Sequence, residues 1–182
     1  MLHFDDIVFG PIFSRRLGSS LGMNILPSKG KLCNFDCIYC ECGWNKDGIS
    51  DKVFPRLAQV AAALEDKLSK ASQEGIPVDS ITFSGNGEPT MNPDFAEIVD
   101  VTLQLRDRFY PDAKVSVLSN ATLIGRKKIA EALKKVDNPI LKLDGSDDEL
   151  VRKMNKPVGH YRVSEIVEGL KSFEGNFVLQ TM

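Results

Sequence analysis

The sequence is poor in the side chains that most often bind metals, and it has no strong charge of either sign. It contains two histidines and four cysteines among 182 residues, and no apolar run approaches the length of a membrane-spanning helix. Its 23 basic and 25 acidic side chains give a formal net charge of −2. No strong overall attraction to nucleic acid or to a membrane surface follows from that balance, although a local basic patch is compatible with it.

The N-terminal stretch MLHFDDIVFG carries acidic residues and lacks the apolar core of a signal peptide. We therefore expect a cytoplasmic protein with no membrane partner, in which thiols stay reduced. The length suits one domain over residues 1–182 with a sizeable core, and residues 1–20 form its N-terminal lead-in. Because the chain ends inside a predicted strand, we expect that the C-terminal part of this domain is missing.

Short apolar runs alternate with segments of helical periodicity along the chain. Apolar residues at helical spacing predict helices after each of the first four strands, with Asn92 capping and Pro93 starting the second. Ser146 and Glu149 predict a capping box, and Ser164 predicts the N-cap of the last helix. This alternation indicates an α/β fold with parallel strands, either an open doubly wound sheet or a (βα) barrel. The strands are predicted at residues 21–26, 80–85, 114–119, 139–144 and 176–182.

All four cysteines lie in one short stretch, CNFDCIYCEC, from Cys33 to Cys42. Disulfides are poorly suited to it, because they would close only tiny loops. A structural zinc site requires four ligands, but Cys42 is only two residues past Cys40, and His3 and His160 are remote. Iron–sulfur clusters are held by cysteine thiolates, and three thiolates on a four-iron cluster leave one iron open. A metal centre is thus favoured, with zinc or coincidence as the alternative.

The motif CNFDCIYC resembles the cluster-binding motif of the radical S-adenosylmethionine (SAM) enzymes, including an aromatic residue, Tyr39, before the third cysteine. The resemblance implies that Cys33, Cys37 and Cys40 bind a 4Fe–4S cluster whose open iron chelates the amino and carboxylate groups of SAM. It also implies a partial (βα)6-type TIM-like barrel of parallel strands, truncated here after the fifth strand. Cys42 has no place in the motif and is interpreted as a small apolar residue or a free thiol.

The segment TFSGNGEPT after the second predicted strand resembles the Gly-Gly-Glu element of the same family. Glycines allow close approach of a ligand to the backbone, and a carboxylate can accept hydrogen bonds from the ammonium group of methionine. Asn86 stands where the first glycine of that element is usual. A tight turn before the next helix is the alternative interpretation. The resemblance assigns SAM binding to Ser84, Gly85, Asn86, Gly87 and Glu88.

Two further predicted strands end in polar residues. Ser119 and Asn120 end the third strand, and Lys142 and Asp144 lie near the end of the fourth. Lys142 and Asp144 are two residues apart and therefore face the same side of a strand. All these residues are at the carboxyl ends of strands, where barrel enzymes keep their sites. By the resemblance we assign them to the carboxylate and ribose of SAM, and a structural ion pair is the alternative.

The lead-in and the segment Asn155–Pro157 resemble uncharacterised radical SAM oxidoreductases related to wybutosine synthesis. The family implies reductive cleavage of SAM to a 5′-deoxyadenosyl radical that abstracts hydrogen from a substrate, with a flavodoxin- or ferredoxin-type reductant as partner. The substrate is not readable from the sequence, and the net charge neither supports nor excludes tRNA. Arg15 and Arg16 are either phosphate contacts or a solvated pair. A non-catalytic zinc-binding or scaffold module is the alternative function.

Overall fold

The computed structural model describes residues 4–47 and 53–182, so that His3 lies outside the described residues. Strands and helices alternate along most of the chain, as the sequence predicts, and two short 3-10 turns follow Trp44 and Glu88. The elements in chain order are β1 (Val8–Ser14), β2 (Gly18–Met23), α1 (Leu57–Gln73), β3 (Ser80–Phe83), α2 (Phe95–Phe109), β4 (Lys114–Ser119), α3 (Lys127–Lys135), β5 (Asn138–Lys142), α4 (Asp148–Asn155), α5 (Val163–Lys171) and β6 (Val178–Gln180).

The six strands form one sheet in the order β1-β2-β3-β4-β5-β6. Strands β2 to β6 pair in parallel, and β1 pairs antiparallel with β2. A doubly wound sheet reverses its strand order at a switch point, whereas here every crossover steps to the next position. Within residues 4–47 and 53–182 no pairing joins β1 to β6, so the sheet is not closed. The fold is therefore α/β with the strand order of a partial barrel, as expected.

Strands β3, β4 and β5 are buried on both faces, which explains their nearly continuous apolar runs. All four residues of β3 are buried, and so are most residues of β4 and β5. Helix α1 turns one apolar stripe toward the sheet, with four fully or nearly fully buried side chains at helical spacing. They belong to the same core cluster as the strand residues. These four side chains are Val60, Leu64, Leu68 and Ala71.

Strand β1 has no counterpart among the predicted strands, the first of which begins at residue 21. Within the lead-in, residues 8–14 form an edge strand. Pro11 interrupts the strand, and the pairing register shifts between Phe9 and Ile12. Proline is tolerated on an edge strand, and a bulge breaks the alternation by which a strand is recognised. Phe13 in this strand is 83% exposed, which further hides the pattern.

Three predicted helix starts also need correction. Helix α2 begins at Phe95, after Asn92 and Pro93, with Asp94 at the N-cap. The N-cap of α4 is Asp147, whose side chain accepts a hydrogen bond from the Leu150 N–H, in place of the predicted Ser146 box.

Ser164 does not cap α5, because that helix already begins at Val163, with Arg162 at the N-cap. The Val163 N–H donates to the Asp148 carboxylate of α4 at 2.7 Å. The acceptor at the start of α5 is thus Asp148, which is 15 residues away, and not the predicted Ser164. Sequence spacing cannot reveal a partner at that distance.

No helix in the described part of the chain is both long enough and apolar enough to cross a membrane.

Asp137 joins the beginnings of β4 and β5, at the edge of the sheet opposite the carboxyl ends of the strands. Its Oδ2 accepts hydrogen bonds from the Val115 N–H and from the Arg106 guanidinium, both at 2.8 Å. Burial raises the pKa of Asp137, but these donors outweigh burial and the pKa is lowered overall. The ionised carboxylate is therefore the form that stabilises the folded state.

Replacing Asp137 with asparagine should lower the free energy of unfolding by about 1–2 kcal/mol at neutral pH, because two hydrogen bonds to a carboxylate are weakened. A lowered pKa means that the contribution is complete above the unfolded pKa of about 3.9 and is lost as the pH falls through the folded value. The unfolding free energies of the wild type and the variant should therefore converge as the pH falls, and urea denaturation of both proteins between pH 7 and pH 3 measures this.

The matched control is Asp100→Asn on α2, where an exposed pair with Lys135 should contribute about 1 kcal/mol or less. A difference for Asp137→Asn that stays constant into acid would contradict the assignment.

Candidate functional site

A cavity of about 410 Å³ opens at the carboxyl ends of the parallel strands. It receives side chains from the cysteine segment, from the loop after β3, from the end of β4 and from β5. Ten of the thirteen residues predicted for the site line it. These are Cys33, Cys37, Cys40, Tyr39, Gly85, Gly87, Glu88, Ser119, Asn120 and Lys142.

The other three predicted residues do not line this cavity. Ser84 directs its hydroxyl to the carbonyl of Thr82. Asn86 is fully buried, and its amide donates to the carbonyls of Phe4, Pro27 and Ser28. It therefore fastens the N-terminal segment. Asp144 is buried beneath the residues that line the cavity, where it accepts hydrogen bonds from Tyr39 and Asn155.

The cysteine segment, residues 32–43, has no regular secondary structure and is held by neighbouring backbone. Leu32 forms a parallel bridge with Gly87 of the β3 loop. On the other side, the Asp36 N–H donates to the Asn155 carbonyl at the end of α4 at 2.8 Å, and the Val158 N–H donates to Asn34 at 2.9 Å. The segment is thus suspended between β3 and α4, with its thiols facing the cavity.

Glycine is required where the β3 loop meets this segment. Gly87 has φ of +139°, and a Cβ there would lie 1.9 Å from the carbonyl oxygen of Leu32. Any side chain would push the two segments apart, because a backbone carbonyl cannot move aside as a flexible side chain can. The sequence predicts that a ligand approaches the backbone closely at this glycine. In the structure, the group that approaches Gly87 closely is the backbone of Leu32.

Cys33 is a partly buried residue of the cavity wall that packs against the core. Burial raises the pKa of Cys33 to about 12, and the nearby Glu88 carboxylate adds to this effect. Two donors point at its sulfur: the backbone N–H of Phe35 at 3.3 Å and the side-chain amide of Asn120 at 3.6 Å. The thiolate of Cys33 is hydrogen-bonded, yet it requires a positive partner such as a metal to persist.

Lys31 brings a buried cation to the cysteine segment. Its side chain is 1% exposed and its ammonium donates to Asp36 at 3.1 Å and to the Gly43 carbonyl at 3.2 Å. Burial lowers the pKa of Lys31, but the bond to Asp36 and the negative potentials of Cys40 and Cys33 outweigh burial and raise it. Lys31 therefore stays protonated beside the thiols. Lys31 is not among the residues predicted for the site, although it lies only two residues before Cys33.

Glu88 is a buried carboxylate at the floor of the cavity. Its Oε1 accepts hydrogen bonds from the Thr90 N–H and hydroxyl and from the Ser119 hydroxyl, and its Oε2 accepts one from the Asn120 N–H at 2.7 Å. Burial raises the pKa of Glu88, and these four neutral donors only partly offset it. A cationic ligand group next to Oε2 would stabilise the ionised form.

A second polar cluster joins Cys37 to the end of β5. The Tyr39 hydroxyl donates to Asp144, and the Lys142 ammonium lies 3.1 Å from that hydroxyl and 4.5 Å from the centre of the Tyr39 ring. The amide of Asn155 donates to the Cys37 sulfur at 3.3 Å and also to Tyr39 and Asp144. Burial and the bond to Asp144 raise the pKa of Tyr39, which stays a neutral phenol.

Cys42 also lines the cavity, and its sulfur lies 3.4 Å from the Gly85 carbonyl oxygen. A hydrogen bond between the Cys40 and Cys42 side chains lowers the pKa of Cys40 and raises that of Cys42. Cys42 is therefore the protonated member of the pair. None of the four cysteines is in a disulfide.

Within the described residues no group of three or more His, Cys, Asp or Glu side chains converges on a point where one metal ion could sit. His160 is exposed on the surface and pairs with Glu165 at 3.1 Å. Arg15 and Arg16 are exposed at the turn between β1 and β2. None of these three residues is among those that line the cavity. A mononuclear zinc site is therefore not preformed in the described part of the chain.

Comparison with known proteins identifies the family to which the chain belongs. The family model described as "Radical SAM superfamily" matches residues 28–178. A UPF0026 protein of Helicobacter pylori is 35% identical over 167 residues, which are 92% of this chain and 51% of that protein. The chain spans about half the length of the curated relatives of this kind that it matches.

Two solved structures share the fold. TYW1 with a bound lysine–pyruvate adduct superposes with a TM-score of 0.55 at 15% identity, covering 91% of this chain and 56% of that one. Native anSMEcpe with bound AdoMet gives a TM-score of 0.57 at 21% identity, covering 82% and 40%. The partial-barrel fold is thus the one found in these two proteins. Together with the family match over residues 28–178, this establishes that the chain belongs to the radical SAM superfamily.

Proposed function

We propose that the protein is a radical SAM enzyme whose cluster is held by Cys33, Cys37 and Cys40. The observation that carries the proposal is that these three thiols share one cavity with Glu88 and Lys142, at the carboxyl ends of the strands. When bound, a 4Fe–4S cluster supplies the electron that cleaves SAM to methionine and a 5′-deoxyadenosyl radical, which abstracts hydrogen from a substrate.

The donor set fits such a cluster better than a single ion. Each thiolate of a cubane binds a different iron, so the three sulfurs do not need to converge on one point, and only three protein ligands are required. The buried ammonium of Lys31 lies beside Cys33 and Cys40, where it offsets part of the negative charge of bound thiolates. Cys42 has no place in the spacing of the motif and is assigned a role outside the ligand set.

SAM would lie across the cavity between Glu88 and Lys142. The carboxylate of Glu88 has only neutral donors and would bind the methionine ammonium, while Lys142 would bind the methionine carboxylate. The backbone of Gly85 and Gly87 lines the same wall. The AdoMet bound to anSMEcpe, which shares this fold, supports the assignment.

The remaining predicted residues would orient these two charged groups. Ser119 and Asn120 face the cavity at the end of β4, where they would contact the ribose and also hold Glu88. Tyr39 covers the Lys142 ammonium with its ring, and Asp144 accepts the Tyr39 hydroxyl from behind. Asp144 thus acts through Tyr39 and Lys142, because it does not line the cavity.

The electron would come from a flavodoxin- or ferredoxin-type protein in the cytoplasm, where thiols are kept reduced. The substrate would enter at the open mouth of the cavity. Since the chain spans about half the length of its curated relatives, the parts that select the substrate are not assigned to residues of this chain.

The first test is anaerobic reconstitution with iron and sulfide. The wild-type chain should bind about four irons and about four sulfides and turn brown, and alanine at Cys33, Cys37 or Cys40 should each reduce both contents to near background. Cys42→Ala is the matched control, because it removes a thiol from the same cavity and should leave assembly intact. Zinc in place of iron, or a complete redox-active centre in any of the three variants, would overturn the proposal.

The second test is SAM binding to the reconstituted protein by calorimetry. Lys142→Met should weaken binding about tenfold or more, because a charge-assisted contact to the carboxylate is lost. The matched control is Lys70→Met in the last turn of α1, where the side chain is 64% exposed and pairs with Asp66. Equal affinities in the two variants would contradict the role of Lys142, and no 5′-deoxyadenosine from wild type, SAM and dithionite would contradict the function.

A further inference from the structure

Asn155 is the last residue of α4 and belongs neither to the cysteine segment nor to a strand end, but its side chain contacts the proposed cluster site. Its side-chain amide donates to the Cys37 sulfur at 3.3 Å, to the Tyr39 hydroxyl at 2.7 Å and to Asp144 at 2.5 Å. Two N–H groups thus face three acceptors, and all three acceptors belong to the site. This amide touches both a motif cysteine and Asp144, and it lies outside the cysteine segment.

The opposite end of the same amide is unpaired. The side chain of Asn155 is buried, with the residue 1% exposed, and its Oδ1 has no hydrogen-bond partner among the described residues. Leaving a buried acceptor unpaired is unfavourable, and each such case in a native structure requires an explanation. Here the orientation of the amide is explained by the three acceptors that its nitrogen contacts, which are Cys37, Tyr39 and Asp144. An amide used only to fill space at the end of a helix has no such reason to leave its oxygen unpaired.

The backbone around Asn155 fixes that orientation. The Asp36 N–H donates to the Asn155 carbonyl, and the Ile38 N–H donates to the Met154 carbonyl, so that Cys37 is flanked by two bonds to the end of α4. Lys156 then takes a left-handed conformation with φ of 45°, which ends the helix immediately after Asn155. The Cys37 sulfur and the Asn155 amide are therefore positioned by the same pair of anchors.

We infer that Asn155 is a positioning residue for the cluster: its amide N–H holds the Cys37 thiolate and stabilises the reduced form of the bound centre. The inference rests on the proposed function. A hydrogen bond to a ligand sulfur withdraws negative charge, and reduction adds one negative charge to the centre. Loss of the N–H should therefore make the cluster harder to reduce.

The experiment compares wild type, Asn155→Leu and Asn155→Ala after anaerobic reconstitution, by redox titration followed with electron paramagnetic resonance. Leucine keeps the volume and removes both the donor and the unpaired oxygen. At the potential where half of the wild-type clusters are reduced, the ratio of reduced to oxidised clusters in each variant should be about tenfold lower, equivalent to about 59 mV for one electron.

The control is Asn138→Ala, which removes an amide that donates to Ser116 at the opposite edge of the sheet and should leave the midpoint unchanged. Denaturation of the apo proteins reports folding separately. Folded variants with a lowered midpoint, or folded variants that fail to hold the cluster that wild type holds, support the inference.

A wild-type midpoint in either Asn155 variant overturns the inference. So does unfolding of both apo variants under conditions where Asn138→Ala stays folded, because Asn155 would then serve the fold alone. If wild type itself holds no cluster, the proposed function fails first, and that result is seen before any variant is compared.

Discussion

The site depends on backbone hydrogen bonds that suspend the cysteine segment between the β3 loop and the end of α4. A segment without regular structure cannot pair its own N–H and C=O groups, so neighbouring elements must do so. The Leu32 N–H donates to Asn86 and the Glu88 N–H donates to Leu32, while the Asp36 N–H donates to Asn155. These attachments hold the segment that carries the three thiols at the cavity. Gly87 is required for the first attachment, because any side chain there would collide with the Leu32 carbonyl.

The cysteine segment buries charged groups that would each be unfavourable in the protein interior without a partner. Lys31 is buried beside two thiols and has a carboxylate partner, Asp36, so it remains a cation. Glu88 is buried on the other side of the cavity, but its donors are all neutral and its pKa is raised. The cavity thus has a charge-balanced side at the cysteines and an unbalanced carboxylate at the β3 loop. A ligand with an ammonium group compensates Glu88, whereas a second anion would not.

The sequence predicts the strand ends well, because the rule that parallel strands share a carboxyl edge is independent of packing detail. Glu88, Asn120 and Lys142 are far apart in sequence and still line one cavity, as that rule requires. The same rule cannot say which of several consecutive residues faces inward once a strand has ended. Ser84 and Asn86 illustrate this, since the loop turns at glycines and directs both side chains away from the cavity.

Contacts between distant elements are the part that sequence spacing cannot supply. Asn155 and Cys37 are 118 positions apart, and no periodicity links the end of a helix to a loop in another part of the chain. Yet the amide that meets Cys37 also meets Asp144, so one residue connects the cluster side of the cavity to the side where SAM is proposed to bind. Asp144 in turn accepts the Tyr39 hydroxyl, which lies beside Lys142. The two parts of the proposed site are therefore connected by hydrogen bonds through Asn155, which lies outside both the cysteine motif and the β3 loop.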